Sequence, residues 1–223
     1  MHIEPGVVDG AKMALSYATA LAAFGLSAKA SIDTIKQKGL LSLLARSSLT
    51  SLLVFFFFEV MPHHGVGVSE VHFILGSTLF LMFGAGAASI GLFMGLLLQG
   101  LLFAPFDLPQ YGMNVTTLLL PLFAMAAVSK RVISSQTAYV DISYKQALQL
   151  SLTYQGGIIA WVAFWAFYGQ GFGVENLTSV ATFGLAYLSV VLIEPVLDLA
   201  ILAGAKHLDR MKNSSLFETR LFR

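Results

Sequence analysis

Cysteine is missing from this chain of 223 residues, and charged residues are scarce. The absence of cysteine excludes disulfide bonds, thiolate metal sites and cysteine nucleophiles. Charged residues make up 11% of the chain, against about 25% in ordinary soluble domains. Five histidines and eight methionines are therefore the soft or borderline ligands that remain for a transition metal.

Motifs of several enzyme classes are also absent. The chain has no G-x-x-x-x-G-K-[ST] motif, so we expect that it does not itself hydrolyse ATP. It has no H-E-x-x-H motif, which weighs against an intramembrane metalloenzyme. The net charge of +1 gives no indication of a nucleic-acid partner. We therefore expect a protein that is not an enzyme and that has no resident cofactor.

Apolar residues are what the chain has in abundance. They make up 57% of it, and the mean hydropathy is +0.77. Most of the apolar stretches approach the roughly 20 residues that a membrane-spanning helix needs. The stretches are 11–28, 40–60, 71–83, 86–104, 113–128, 147–169 and 178–204. The sequence predicts an all-α, polytopic membrane helical bundle that forms a single transmembrane domain over residues 1–223.

The number of spans depends on the segment "FGAGAAS" at 83–89. A break near Gly84–Gly86 gives seven spans and leaves every basic residue except Lys12 on one side, as the positive-inside rule requires. Without the break there are six spans, and three basic residues of the 130–145 region change sides. We therefore predict about seven transmembrane helices, with the N-terminus outside and the C-terminus cytoplasmic.

This topology assigns the connecting segments to the two sides of a bacterial or archaeal cytoplasmic membrane. The external segments are 1–10, 61–70, 105–112 and 169–176, and residues 205–223 form a basic cytoplasmic tail. Residues 1–10 carry two acidic residues and no Lys or Arg, unlike the basic start of a signal peptide. We expect an uncleaved chain whose first residues lie on the same side as the histidine-containing loop.

The start "MHIEP" has the chemistry of a metal chelator. The amine and the amide nitrogen of His2 close a five-membered ring, and the same amide with the imidazole Nδ1 closes a six-membered ring. Three nitrogens then lie in one plane, and one further imidazole completes four. Square-planar nitrogen coordination suits Ni(II) or Cu(II), whereas Zn(II) prefers a tetrahedron.

Several segments resemble the CbiM/NikM type of cobalt and nickel permeases, which are substrate-capture components of energy-coupling factor ABC transporters. "MHIEPG" is similar to the MHI-x-x-G start of that family, and "VHFILGSTLFLMFG" resembles its His-x-x-x-x-G segment. "LLLQGLLF" followed by "YGMNVTTLLLP" resembles its Gln-containing span and G-x-N segment. The resemblance covers residues 1–125. The chain departs from it at 105–107, where it reads Pro-Phe-Asp and many members read His-Gly-Gly.

The resemblance implies a metal site and a set of partners. The ligands are the amine of Met1, the amide and imidazole of His2, and the imidazole of His72, holding Ni2+ or Co2+ as a transported ligand. The partners implied are a membrane coupling subunit, two cytoplasmic ATPase subunits and a small accessory membrane subunit. The sequence leaves three roles possible for the extra pair His63 and His64: a funnel that guides ions inwards, an alternative fourth ligand, or part of an ordinary external loop.

Three polar residues are candidate supports for the metal ligands. Gln99 and Asn114 are predicted either to hydrogen-bond the far nitrogen of His72 or to bridge helices. Glu70 is predicted either to orient His72 or to cap the third helix. Near the other end of the bundle, Glu194 and Asp198 are expected to form an ion pair with Arg46 or to contact the transport machinery.

Small residues recur every four positions in the first span, at Ala14, Ala18 and Ala22, and a GxxxG motif joins Gly91 to Gly95. Such stripes let helices approach closely in lipid. The alanine stripe is open between packing inside the bundle and docking to another membrane subunit. Alternatives to the whole functional hypothesis are a structural or assembly membrane protein, and a metal permease of other specificity without a nitrogen site.

Overall fold

The computed structural model describes residues 3, 5–207 and 214–222. They form six long helices and one β-hairpin. The helices are α1 (Met13–Lys38), α2 (Leu40–Glu59), α3 (Gly76–Leu102), α4 (Tyr111–Val132), α5 (Tyr144–Gln170) and α6 (Val174–His207). The strands are β1 (His64–Val66) and β2 (Ser69–Val71), and short 3-10 turns precede α1 and α4. The prediction of a helical bundle is confirmed, and the hairpin within the predicted external loop is an addition to it.

Local sequence signals explain several of the helix boundaries. Gly39 separates α1 from α2 with a φ of 83°, a backbone conformation that favours glycine. Ser143 and Gln146 form a capping box at the start of α5, which satisfies the free amide groups of the first turn. The short apolar stretch 113–128 is extended by its flanks into a helix of 22 residues.

The predicted break lies at Gly84, where the backbone of α3 leaves the helical region with a φ of 81° and a ψ of 163°. The piece 76–83 has eight residues and a length of about 12 Å, too short to cross roughly 30 Å of hydrocarbon as a helix. Residues 72–75 precede it without helical structure. The count of seven long helices is therefore not confirmed, and the orientation of the termini stays a prediction.

Contacts define how the segment 72–83 runs through the bundle. At one end the rings of His72 and Phe58 lie 4.9 Å apart, and at the other Phe83 O accepts a hydrogen bond from Arg46 Nη1. The segment therefore runs antiparallel to α2 over most of its length. Residues 85–102 run parallel to α2, since Gly91 packs on Thr50. We call the end that holds the hairpin the hairpin end, and the end that holds Gly84 the tail end.

Five of the helices are long and apolar enough to span a membrane, namely α2, α3, α4 with its preceding 3-10 turn, α5 and α6. The helix α1 has comparable length but more polar residues. Large apolar side chains on the outside, such as Leu21, Leu52 and Leu192, are more than 60% exposed. A surface of this kind suits lipid, and the protein is a multi-pass integral membrane protein.

The two small-residue stripes have different surroundings. A Cβ on Gly95 would lie 2.6 Å from the Val54 side chain, so the GxxxG motif allows α3 and α2 to pack closely. Ala14, Ala18 and Ala22 are instead exposed, and α1 buries a neighbouring face that includes Ser16, Ala20 and Ala23. The interpretation of the alanine stripe as packing inside the bundle is therefore wrong.

The C-terminal residues 214–222 fold against the tail end. Glu218 N donates to Met82 O, and its carboxylate lies 3.6 Å from the guanidinium of Arg46. Arg46 Nε also donates to Ser215 O. The predicted pairing of Arg46 with Glu194 or Asp198 is wrong, because the tail supplies the carboxylate and the carbonyl oxygen that Arg46 contacts.

Candidate metal centre

The hairpin places His72 inside the protein at the hairpin end. The strands pair in antiparallel register with His64 opposite Val71, and Gly67 makes the turn with a φ of 63°. A Cβ on Gly67 would lie 2.1 Å from Ser179 O, so only glycine lets the turn rest on α6. His72 follows directly after β2 and is 1% exposed.

Two aromatic rings and a carboxylate surround the imidazole of His72. The His63 ring stacks on it at a centroid distance of 4.9 Å and an interplanar angle of 7°. The Phe58 ring lies edge-on at 4.9 Å. Glu70 Oε2 lies 3.5 Å from His72 Nε2. These contacts hold the ring in one orientation, as a metal ligand requires.

The first residues of the chain enter the same region. Ile3 is 1% exposed, forms a β-bridge with Ser69, and donates its amide hydrogen to Asn114 Oδ1 at 2.8 Å. It packs with Val7, Val8, Met113 and Trp165 in a small apolar cluster. Met1 and His2, the predicted ligands, lie outside the described residues. The segment that follows them is anchored inside the bundle, close to the hairpin.

A glycine on α5 makes room for the N-terminal segment. A Cβ on Gly169 would lie 1.8 Å from Val7 O, well inside van der Waals contact. Lys12 Nζ donates to Gly169 O at 2.9 Å, which ties the start of α1 to the same point. The position of the N-terminal segment therefore depends on a residue more than 150 positions away, which the sequence analysis did not single out.

The residues around His72 can now be compared with their predicted roles. Glu70 lies in β2 beside the imidazole, and α3 begins only at Gly76, which favours orientation of His72 over a helix cap as the role of Glu70. His63 is the member of the extra pair that contacts His72. His64 is exposed in β1, which favours the ordinary-loop interpretation for that residue.

Asn114 and Gln99 are both buried. Asn114 accepts the hydrogen bond from Ile3, so it anchors the N-terminal segment, a role that the sequence analysis missed. Gln99 lines a small cavity with Asn114 and Asp107. A hydrogen bond from either amide to His72 stays a prediction. The G-x-N spacing after a Gln-containing span was the signal that placed both residues near the site.

Two carboxylates lie deeper in the bundle, at Glu194 and Asp198, and both are completely buried. Glu194 accepts hydrogen bonds from Ser151 Oγ at 2.7 Å and from Gln155 Nε2 at 2.9 Å. Asp198 accepts from Ser77 Oγ at 2.6 Å and from the hydroxyl of Thr78. They were expected near the inner rim, yet α6 places them at the centre, against the segment 72–83.

No group of three or more His, Asp or Glu side chains with metal-binding geometry occurs within the described ranges. The buried imidazole, the anchored N-terminal segment and the apolar helices together define the class of protein, a multi-pass membrane protein with a candidate ligand-capture site at one end.

The comparisons with known proteins identify the family. The family model "Cobalt uptake substrate-specific transmembrane region" matches residues 2–210, and the chain belongs to this CbiM family. A comparison with curated proteins gives no match. A crystal structure of a transition metal transporter is similar, with a TM-score of 0.71, 18% identity and 94% of each chain covered. A truncated transition metal transporter has a TM-score of 0.70 and 18% identity, over 93% of this chain and 99% of that one.

These relatives are transporters and not enzymes, and the metal in such a family is a transported substrate and not a cofactor. The predicted family is thereby confirmed at the level of a cobalt-uptake membrane component.

Proposed function

We propose that this protein is the substrate-capture component of an energy-coupling factor importer for Ni2+ or Co2+ in a bacterial or archaeal cytoplasmic membrane. The ligands proposed are the amine of Met1, the amide and imidazole of His2, and the imidazole of His72. The single observation that carries the proposal is that Ile3 is anchored in the bundle by Asn114 and by Ser69, three residues before the buried His72.

Chain length supports this ligand set. Two residues span at most about 7 Å, so Met1 and His2 cannot extend far from Ile3. Ile3 is bridged to Ser69, three residues before His72. In this proposal, the amine and the His2 nitrogens reach the buried imidazole from the Ile3 anchor. Family membership favours this transport role over a structural or assembly role.

Seven crossings of the membrane remain part of the proposal. The segment 72–83 joins the level of Phe58 to the level of Arg46, and 85–102 returns parallel to α2. A crossing that is extended first and helical afterwards needs protein around it, because lipid cannot satisfy its free backbone groups. The segment meets this need, since all but one of its residues are buried. The N-terminus is then outside and the C-terminus cytoplasmic.

Energy for transport is proposed to come from partners, namely a membrane coupling subunit, two cytoplasmic ATPase subunits and a small accessory membrane subunit. The chain itself has no nucleotide-binding motif. Ala14, Ala18 and Ala22 are exposed on one face of α1 and are the proposed docking surface. Close approach of a partner helix to such a stripe resembles the small-residue contacts of other membrane helices.

Replacement of Ala18 by leucine tests this docking surface. The larger side chain should hold the partner helix away and lower recovery of the coupling subunit in co-purification at least about fivefold, a loss of roughly 1 kcal/mol. Ala181→Leu, the same change at an exposed position of α6, is the matched control and should leave this recovery unchanged. Metal binding by Ala18→Leu should match that of the unaltered protein. Full recovery of the coupling subunit would place the docking surface elsewhere.

Equilibrium binding of Ni2+ and Co2+ to the purified protein tests the proposed function itself. One tightly bound ion per chain is expected. The amine, with a reference pKa of about 7.7–8.0, and an amide nitrogen must both lose protons to bind it. Affinity should therefore fall as the pH is lowered, on the order of 10³-fold between pH 8 and pH 6. Absence of tight binding, or affinity independent of pH, would contradict the nitrogen site.

A further inference from the structure

The centre of the bundle contains a polar cluster that capture at the hairpin end does not use. Glu194 and Asp198 lie one turn apart on α6 and are both 0% exposed. Besides the four side-chain hydrogen bonds described above, Glu194 Oε1 accepts from the backbone amide of Ser77 at 3.3 Å. Every contact in this cluster comes from an uncharged donor. The two carboxylates therefore lie together inside an apolar protein, with no cationic side chain among these donors.

No salt bridge reaches either carboxylate in the part of the chain that the structure describes. Arg46, the buried cation of the bundle, contacts Glu218 and backbone oxygens at the tail end. Removing an unpaired carboxylate from water costs several kcal/mol or more, and two neighbouring carboxylates increase this cost. Such residues inside a membrane protein usually bind an ion or a proton.

Two oxygen atoms beside the carboxylates have no hydrogen-bond partner among the described residues. They are Gln155 Oε1 and the phenolic oxygen of Tyr154, and both residues are 0% exposed. The amide nitrogen of Gln155 donates to Glu194, which fixes the side chain at the cluster. The Tyr154 ring lies against Gly76, the residue before Ser77. A Cβ on Gly76 would lie 2.2 Å from Tyr154 Cζ. Buried polar oxygen atoms without a partner call for a physical explanation, and an ion bound beside the carboxylates would supply one.

The cluster is connected to the hairpin end. Gln155 Nε2 donates to Ile74 O at 3.0 Å as well as to Glu194, and Ile74 lies two residues after His72. The hydroxyl of Tyr187 donates to His72 O at 3.4 Å. Tyr187 and Glu194 are seven residues apart on α6, which corresponds to about 10 Å along the helix. On the far side, a cavity of about 540 Å³ opens beside Phe80 and Gly84 at the tail end.

We propose that Glu194 and Asp198, with the oxygen atoms of Gln155, Ser77 and Thr78, form a second cation site, which receives the transported divalent ion when it leaves the nitrogen site. The inference rests on the proposed function for its cargo. The ligands are carboxylate, amide and hydroxyl oxygens, and hydroxyl groups can turn their lone pairs towards a cation. A divalent cation would neutralise the two carboxylates.

The choice of oxygen ligands fits a site of transit. First-row divalent ions such as Ni2+ prefer imidazole and other nitrogen ligands, whereas carboxylate, carbonyl and water suit Mn2+, Mg2+ and Ca2+. An oxygen site therefore holds Ni2+ or Co2+ less tightly than the site at the hairpin end. An ion that has left its nitrogen ligands can occupy such a site without being trapped there.

Mn2+ distinguishes the two sites, because it prefers oxygen ligands and has the lowest affinity for nitrogen sites in the Irving–Williams order. Binding of Mn2+ to the purified full chain is measured by electron paramagnetic resonance, and Ni2+ binding is measured on the same samples. We expect one bound Mn2+ per chain, and retention of this ion in His72→Ala. Glu194→Gln and Asp198→Asn should each weaken Mn2+ binding at least about tenfold and leave Ni2+ binding at the hairpin end unchanged.

Glu175→Gln is the matched control, since Glu175 is exposed in the first turn of the same helix. If the carboxylate variants fail to fold, Gln155→Leu keeps both carboxylates and should still weaken Mn2+ binding about tenfold. Unaltered protein that binds Ni2+ but no Mn2+ would overturn the cation site and leave a proton as the occupant. Equal Mn2+ affinity in Glu194→Gln, or in Gln155→Leu where that variant is used, would also overturn it. Loss of Ni2+ binding alone would contradict only the nitrogen site.

Discussion

Insertion of two glutamines between Met1 and His2 should lower the affinity for Ni2+ and Co2+ by about 10³-fold or more. Three amide nitrogens would then lie between the amine and the His2 imidazole, so these two groups could no longer bind in one four-position plane around the same ion. Four-ligand structural zinc sites contribute about 10–16 kcal/mol, or roughly 3 kcal/mol for each ligand. Loss of two of the proposed nitrogens therefore corresponds to several orders of magnitude in affinity.

The measurement is equilibrium binding of each ion to the purified protein, with acetylation of the amine as a second arm. Acetylation removes the basicity of one nitrogen and leaves the spacing of the others unchanged, so its expected effect is about 100-fold. The control is the same two glutamines added after Arg223. An insertion variant that binds with unchanged affinity would exclude the Met1 and His2 ligand set.

Replacement of His72 by alanine should lower Ni2+ and Co2+ affinity by about 100-fold, the effect of one ligand out of four. The imidazole is 1% exposed, and His63, Phe58 and Glu70 hold it in one orientation. Its position three residues after Ser69, which is bridged to Ile3, makes it the candidate fourth nitrogen. The measurement is again equilibrium binding, after gel filtration has shown that the variant remains folded.

His64→Ala is the matched control for this variant. His64 belongs to the same hairpin but is exposed, so a change of less than about threefold is expected. His63→Ala should fall between the two, since the loss of its stacked ring frees the His72 imidazole without removing a ligand. A larger loss in His64→Ala than in His72→Ala would mean that the extra pair supplies the fourth ligand.

The sequence alone predicted the helical class, the family and the break at Gly84. These follow from local properties, because a run of apolar residues must be helical in lipid and a glycine between two runs permits a positive φ. The approach of the N-terminal segment to His72 followed from the shared side of the membrane. The anchor of that segment did not follow from the sequence, because the hydrogen bond between Ile3 and Asn114 joins residues 111 positions apart.

The alanine stripe and the carboxylates show a second limit of prediction from sequence, since spacing along a helix does not specify which neighbours a residue contacts. Every fourth residue of α1 shares a face, yet the spacing is identical for a face that packs in the bundle and for one that meets a partner. Ala18 is exposed only because neighbouring residues such as Ala20 and Ala23 pack against the other helices. In the same way, the pairing of Arg46 with Glu218 depended on where the C-terminal residues fold.

The sequence by itself determined the membrane environment, the short-range chelate chemistry of the first two residues and the candidate histidines, since each depends on neighbouring residues or on composition. The tertiary structure decided that His63 and not His64 contacts His72, and that Glu194 and Asp198 meet Ser77 and Thr78. Those contacts arise where the segment 72–83 passes through the centre of the bundle, and its surroundings come from helices distant in sequence. Hydropathy cannot specify such neighbours, because every apolar helix satisfies the bilayer equally well.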